Sequence, residues 1–308
     1  MTKTVLVTGG AGFIGQYTVK ELSSVGFNVI VADRKEKPKD LTCKYYQTDV
    51  TSEEFERVFE ENEIYYVIHL AALPSVAESI KTPLVDCRDN YQATVNICTI
   101  ANKYGVKKIV FSSTAAVYAN PQYLPVDEKH PTAFISPYAI TKNASENFVK
   151  YCGINYIIFR YANVYGVGQD CFGEAGVVAK FFDLMSQNKP IQIHGTGEQY
   201  RDFIYVSDVA KANVLALTME VKNEVINVST NSKTSINDLF EILKTELNYT
   251  LEPAYTKSRE GDIEKSVLNN EKLISLFNFT PSISVKEGIR IMVEDFSYKS
   301  NKVSEVKV

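Results

Sequence analysis

The stretch VLVTGGAGFIG at residues 5–15 restricts the possible folds of this chain more than any other feature. A short apolar run passes through glycines at 9, 12 and 15 into a segment with helical apolar spacing. Gly9 allows a tight turn, Gly12 lets a pyrophosphate approach backbone N–H groups, and Gly15 lets helix and strand pack closely. Phe13 and Ile14 fall in the first turn of the predicted helix, next to the same phosphates. The following strand ends on Asp33. A carboxylate there accepts hydrogen bonds from both adenosine-ribose hydroxyls and repels a 2′-phosphate, which selects NAD over NADP. Arg34 beside it is the one residue that argues the other way, since an arginine here can serve a 2′-phosphate.

Further along, short apolar runs at 28–32, 44–47, 65–70, 108–112 and 154–160 alternate with amphipathic segments at 52–62, 91–104 and 137–151. Strands alternating with helices predict an α/β fold with a mainly parallel sheet covered on both faces. Right-handed crossovers make that sheet doubly wound, of the Rossmann type. Past Tyr165 the composition shifts toward Gly, Gln and Asn. Residues 1–165 are expected to form the dinucleotide domain, completed by about 202–228. Residues 166–201 and 229–298 are expected to form a smaller, interleaved α/β substrate lobe built from a helix near 177–187, one at 232–248 and short helices after 258. From about 299 the chain reads as a frayed tail.

Composition removes several other functions. A net charge of −4 argues against a general nucleic-acid surface, although not against a local basic pocket. Cysteines at 43, 87, 98, 152 and 171 are odd in number and lack CxxC spacing, so reduced, buried thiols in the cytoplasm are expected. Three scattered histidines offer no metal-ligand pattern. No apolar run is long enough to span a bilayer.

Tyr138 and Lys142 open the 137–151 helix, with Ser136 as its expected N-cap and Pro137 at its first position. Positions i and i+4 share a face, so phenol and ammonium are expected side by side. A free tyrosine has a pKa of about 10, so making it a base at neutral pH needs about 3 units, or about 4 kcal/mol. One ammonium a few ångströms away in a partly desolvated site supplies interaction of that order. Ser112, Ser113 and Thr114 end the fifth strand, where hydroxyls face a ligand crevice or merely satisfy backbone groups.

These pieces resemble the extended short-chain dehydrogenase/reductases, and within them the UDP-glucose and UDP-N-acetylglucosamine 4-epimerases. The matching segments are TGGAGFIG at 8–15, Asp33, TDV at 48–50, HLAA at 69–72, DN at 89–90, SSTAAVY at 112–118, SPY at 136–138 with Lys142, RYANVYG at 160–166, RDFIYVSD at 201–208 and REGD at 259–262. They run in order over nearly the whole chain.

The resemblance implies an NAD-dependent 4-epimerase that interconverts UDP-glucose and UDP-galactose, and the N-acetyl forms, through a transient 4-keto sugar. It implies that Asp49 and Val50 flank the adenine and that Leu70, Ala71 and Ala72 line the pyrophosphate and nicotinamide ribose. Asn90, Ser112, Tyr161 and Val164 are implied near the cofactor. Tyr138 becomes the base, Lys142 the holder of the nicotinamide ribose, and Thr114 the hydroxyl that bonds the sugar 4-oxygen. Ser75, Asn163, Gly176, Val177 and Gln192 are implied to touch the UDP-sugar. Arg201 and Arg259 are implied to clamp its diphosphate, and Asp262 its ribose. Ser266 matches a position that gates the C2 substituent, where a small side chain leaves room for an N-acetyl group. Ala115 and Ala116 stand where related 4,6-dehydratases carry an Asp-Glu pair, and alanine moves no protons. Epimerisation or 4-keto reduction remains, the rival class being a non-catalytic NAD-binding regulator. A homodimer follows from the resemblance alone.

Overall fold

The structure, a computed structural model, describes residues 2–171, 176–258 and 263–305, with side chains up to residue 299. Its centre is a seven-stranded parallel sheet. Six of the strands are β1 (Thr4–Thr8), β2 (Asn28–Asp33), β3 (Lys44–Gln47), β4 (Tyr66–His69), β5 (Lys108–Thr114) and β6 (Asn155–Tyr161), and Glu224–Val228 completes the sheet beyond β6. The order across the sheet is 224–228, β6, β5, β4, β1, β2, β3. β1 pairs with both β2 and β4, so the winding reverses at its carboxyl end, which is where such sheets open a ligand crevice.

The strands are near-continuous apolar runs because both faces are covered. Alternation along β1 sends Val5 and Val7 into one core layer and Leu6 into the other. The first layer packs under the helices Phe13–Ser24 and Val206–Thr218, through Val19, Leu22, Val209 and Ala212. The second packs under Ala93–Lys103 and Pro137–Tyr151, through Ile97, Ala101 and Val149.

A smaller lobe stands over the carboxyl ends of the strands. Asn163–Tyr165 pairs with Phe203–Tyr205, and Gln192–His194 with Ala254–Thr256. Tyr200–Arg201 lies between Thr234–Ser235 and Lys265–Ser266. Phe181, Leu239, Phe240, Leu243 and Ile289 form its core with Tyr165 and Tyr205.

Three expectations need correcting. The carboxyl-terminal region does hold one short helix, Glu271–Phe277, but then a single long one, Val285–Glu305, which runs past residue 299, where the sequence predicts a frayed tail. Val285, Ile289 and Met292 share its buried stripe, and Asp295 pairs with Lys299 at i+4. The helix expected at 91–104 is preceded by Pro83–Asp86 and a π-helical turn, Cys87–Gln92, and becomes α-helical only over Ala93–Lys103. Finally, the five cysteines are free, but of these only Cys98 is buried and Cys87 is exposed.

Candidate active site

The crevice starts at the glycine turn. Gly9 has φ +71°, a conformation that L side chains rarely adopt, and a Cβ there would lie 2.6 Å from the backbone nitrogen of Ala71. At Gly15 a Cβ would stand 2.2 Å from the Gly9 carbonyl oxygen and 2.7 Å from the Gly10 Cα. Gly15 therefore spares the turn itself rather than a helix–strand contact. The close approach to β2 belongs to Gly10, whose Cβ would meet Val31 at 2.7 Å. The helix that follows has Gly12 as N-cap, no capping side chain and no acid in its first turn. Its positive end is thus left for an anion.

Gly15→Ala forces this turn open. Overpacking of this kind costs about 1–3 kcal/mol, so NAD affinity is expected to fall by about tenfold or more. Calorimetric titration of the full chain with NAD checks it, and an unchanged Kd would refute this view of the turn.

Asp33 is buried at the end of β2. Its Oδ2 accepts from the Ala11 amide at 3.0 Å and its Oδ1 from the Lys35 amide at 2.9 Å, so the acid also fastens the glycine turn to the sheet. Arg34 is engaged at the crevice: its guanidinium pairs with Asp89 Oδ2 at 2.9 Å, and Arg88 takes Asp89 Oδ1 at 2.7 Å. The residue that argued for a 2′-phosphate is thus already engaged. Together, the glycine cradle, the open helix end and the buried acid fit a dinucleotide such as NAD.

The crevice encloses about 820 Å³, within the usual range for ligand sites. Gly9, Gly12, Phe13, Ile14 and Gly15 form one wall with Asp33, Arg34, Asp49 and Val50. Leu70, Ala71, Ala72, Ser75 and Ser112 line it too, together with Thr114, Tyr138 and Lys142. Tyr161, Asn163, Val164, Gly176 and Val177 close the side toward the small lobe. Asn163 is tied down there through its Nδ2, which donates to the Asp202 carbonyl at 3.0 Å.

Other sequence candidates lie outside that wall. Asn90 is buried behind it, where Oδ1 accepts from the Leu73 amide at 2.8 Å and Nδ2 donates to Asp86 at 2.7 Å. It shapes the loop after β4 rather than facing the crevice. Gln192 is exposed on the short strand Gln192–His194. Arg201 and Ser266 sit opposite each other in the register of the three-stranded sheet, and neither is among the residues that line the crevice. Arg259 and Asp262 lie outside the described residues.

Tyr138 and Lys142 are both almost fully buried. Ser136 caps their helix, accepting from the Ala139 amide at 3.2 Å, and Ser79 Oγ accepts from the Tyr138 amide at 3.1 Å. The Lys142 ammonium sits 4.4 Å from the centroid of the Phe111 ring. Lys142 is expected to ready the phenol together with a positively charged nicotinamide ring, and the protein groups by themselves set the starting point. Burial pushes Tyr138 up to about 12, with the Thr114 hydroxyl pulling it down and Asp86 pushing it further up. Burial pulls Lys142 down to about 7, against the opposite pull of Glu146 and Asp86. Desolvation penalises both charged forms and is the largest cause at each. His69 behind them is held neutral, down at about 3, by burial and by Lys142. Its ring nitrogens bond the hydroxyls of Thr8 and Thr94, at 2.8 and 3.2 Å.

Sequence reading missed several supporting groups, namely Gly10, Ser79, Asp86, Thr141 and the buried pair Glu146–Arg160. Only the i,i+4 spacing of Asp86 with Asn90 and of Lys142 with Glu146 hinted at them. Among the described residues no cluster of His, Cys, Asp or Glu could hold a metal ion, and no helix is long and apolar enough to cross a membrane.

Comparison with known proteins gives a consistent picture. Residues 5–229 match the profile of the NAD dependent epimerase/dehydratase family. A putative UDP-glucose 4-epimerase of Methanocaldococcus jannaschii is 41% identical over 298 residues, covering 94% of this chain and 97% of the relative. The crystal structure of UDP-glucose 4-epimerase from Thermotoga maritima with UDP-glucose superposes with a TM-score of 0.92 at 40% identity, covering 96% of this chain and 99% of the other. UDP-N-acetylglucosamine 4-epimerase from Methanobrevibacter ruminantium, in complex with UDP-N-acetylmuramic acid, gives 0.90 at 33% identity, covering 97% and 99%.

Proposed function

The chain belongs to the NAD dependent epimerase/dehydratase family, and from that premise we propose that it is a UDP-hexose 4-epimerase acting on UDP-glucose and UDP-galactose and accepting their N-acetyl forms. The observation that carries this reading is one crevice that joins the glycine cradle and Asp33 to Thr114, Tyr138 and Lys142.

When bound, the oxidised nicotinamide supplies a hydride acceptor for C4 of the sugar, a positive charge beside the phenol, and the same hydride for return. The protein groups do the rest. The helix end at Gly12 and the turn amides hold the cofactor diphosphate, and Asp33 takes the adenosine ribose. Lys142 donates to the nicotinamide ribose. Thr114 bonds the sugar 4-oxygen and orients it toward Tyr138, which takes the proton of the 4-hydroxyl and later returns it. Returning hydride to the opposite face of C4 requires the sugar to turn while its UDP stays fixed. Strong nucleotide contacts with few sugar contacts suit that need. Asn163, Gly176 and Val177, on the small-lobe side, are read as nucleotide contacts. We assign Arg201 and Arg259 to the substrate diphosphate, Asp262 to its ribose and Gln192 to the nucleoside. Ser266, level with Arg201 in the sheet, is read as the gate beside the C2 substituent.

Ala115 and Ala116 favour epimerisation over dehydration. They begin a short 3-10 turn after Thr114 and offer only methyl groups where a dehydratase needs proton carriers. The outer face of the Tyr138 helix supports a homodimer, since Ile140 and Tyr151 are 52% and 83% exposed there. Five free thiols favour a reducing compartment such as the cytoplasm.

Incubation with UDP-glucose, UDP-galactose, their N-acetyl forms and the matching dTDP-, GDP- and CDP-sugars tests the proposal. Interconversion of the 4-epimers of the UDP-sugars is the expected result. Turnover of UDP-glucose without any of UDP-N-acetylglucosamine would remove the role given to Ser266. Retained NAD with no product from any of these sugars would instead favour a non-catalytic regulator.

A further inference from the structure

The Tyr138–Lys142 helix is held from outside by a group that neither the sequence motifs nor the family description assigns. We infer that Asp86 is a positioning residue of the reaction, a buried carboxylate that acts as counter-charge to Lys142 and fixes the helical turn carrying Tyr138 and Lys142. This inference rests on the epimerase reading above and deepens it.

Asp86 has no exposed surface. Its Oδ2 accepts from Thr141 Oγ1 at 2.7 Å and its Oδ1 from Asn90 Nδ2 at 2.7 Å. Both donors are neutral, and among the described residues no cation forms an ion pair with Asp86. The same Thr141 hydroxyl lies 3.1 Å from the Tyr138 carbonyl oxygen, so the carboxylate is fastened between the two residues it serves. Ser145 one turn later donates to the Asn90 carbonyl at 3.3 Å, completing the seam between the helix and the π-helical turn.

A buried carboxylate without an ion-pair partner is costly, and burial does push Asp86 above the usual carboxylate range, while the Thr141 and Asn90 hydrogen bonds and the Lys142 charge hold it down. The nearby groups leave Lys142 as the cation in question. Glu146, one turn beyond Lys142, is neutralised by Arg160 and also faces Lys150. Asp89, the other acid facing Asp86, is held by Arg34 and Arg88. His69 across the sheet is neutral. Glu78 and Lys81 on the adjoining helix pair with each other at 3.7 Å in solvent. Among the described residues, Glu146 exerts the larger pull on Lys142 but is itself paired with Arg160, whereas Asp86 acts on Lys142 with no ion-pair partner of its own.

The sign of the effect follows. A negative Asp86 helps Lys142 keep its proton and hinders Tyr138 from losing one. Removing that charge makes both groups release protons more easily. The limbs of the kcat–pH profile, which belong to the coupled pair, then both move to lower pH. A carboxylate that only supported the fold would lower the amplitude and leave the limbs in place.

The test uses Asp86→Asn in the full chain, with Asp86→Ser in its place should the Asn protein not fold. The kcat–pH profile with UDP-glucose is expected to move acidward by about one unit on both limbs. A second readout needs no turnover: brief acylation of the full chain, with and without NAD, followed by mass spectrometry of Lys142, reports its titration directly. Its midpoint is expected to drop by about one unit as well. Unmoved limbs together with an unmoved Lys142 midpoint would overturn the inference. If the wild-type protein turns over no UDP-sugar, the function proposed above fails, and the lysine titration still decides the role of Asp86.

Discussion

Tyr138→Phe is expected to lower kcat by about a thousandfold, with bound NAD and the KM for UDP-sugar nearly unchanged. General acid–base groups contribute about 10²–10⁴ in rate, and this phenol is the group that the Thr114 hydroxyl bonds in the crevice. The substitution removes a single oxygen from a ring that keeps its packing, since the helix cap at Ser136 and the Ser79 contact both involve the backbone. The fold should therefore survive. An effect confined to k cat identifies an interaction made in the transition state, whereas a matching rise in KM would identify ground-state binding. Steady-state rates on both epimers, with the NAD content of the purified variant, decide the matter. Retention of a tenth or more of the wild-type rate would take the proton from Tyr138 and give it to another group.

Glu146→Ala should unfold the protein more readily than any change at the crevice surface. Glu146 and Arg160 are 0% and 5% exposed and meet through two parallel bonds, Nε to Oε1 at 2.9 Å and Nη2 to Oε2 at 2.7 Å. Ser113 donates to the same carboxylate, and Arg160 also donates to the Tyr118 hydroxyl at 3.0 Å. Tyr118 passes the chain of bonds to Asn227 at 2.7 Å. Three strands and the Tyr138 helix therefore share one buried polar network. Truncating the acid strands a guanidinium out of water, and breaking a buried pair in this way costs about 3–5 kcal/mol. Urea unfolding followed by circular dichroism measures the loss. Glu146→Gln keeps the shape and some of the hydrogen bonds and should lose less. A loss under about 1 kcal/mol for the alanine variant would mean that Arg160 finds water or another acceptor.

Both effects show how unevenly the site could be read beforehand. Tyr138 with Lys142, and the glycine turn with Asp33, are local patterns. A helix brings residues four apart onto one face whatever surrounds it, so spacing put Tyr138 beside Lys142, and the glycine turn upstream and the helix's place after the fifth strand singled the pair out. The network around Glu146 joins residues far apart in sequence, and no local period announces that Arg160 will meet it. The electrostatic state of the pair is not a local pattern either. Spacing gives proximity, while the pKa of each group depends on how much water the fold removes, which is why Tyr138 rises to about 12 and Lys142 falls to about 7.

On its own, the sequence determined the α/β alternation, the glycine turn, the acid at the end of β2 and the helix bearing the reactive phenol. Each follows from steric limits or periodicity acting over a few residues. Only the tertiary structure decided that Asn90 shapes a loop, that Arg34 is taken by Asp89, that Gly10 rather than Gly15 meets β2, and that Asp86, with no ion-pair partner among the described residues, acts on Lys142. Those outcomes depend on which distant segments share a buried volume. Pairing and burial of charge are settled when the layers pack, after the local rules have had their say.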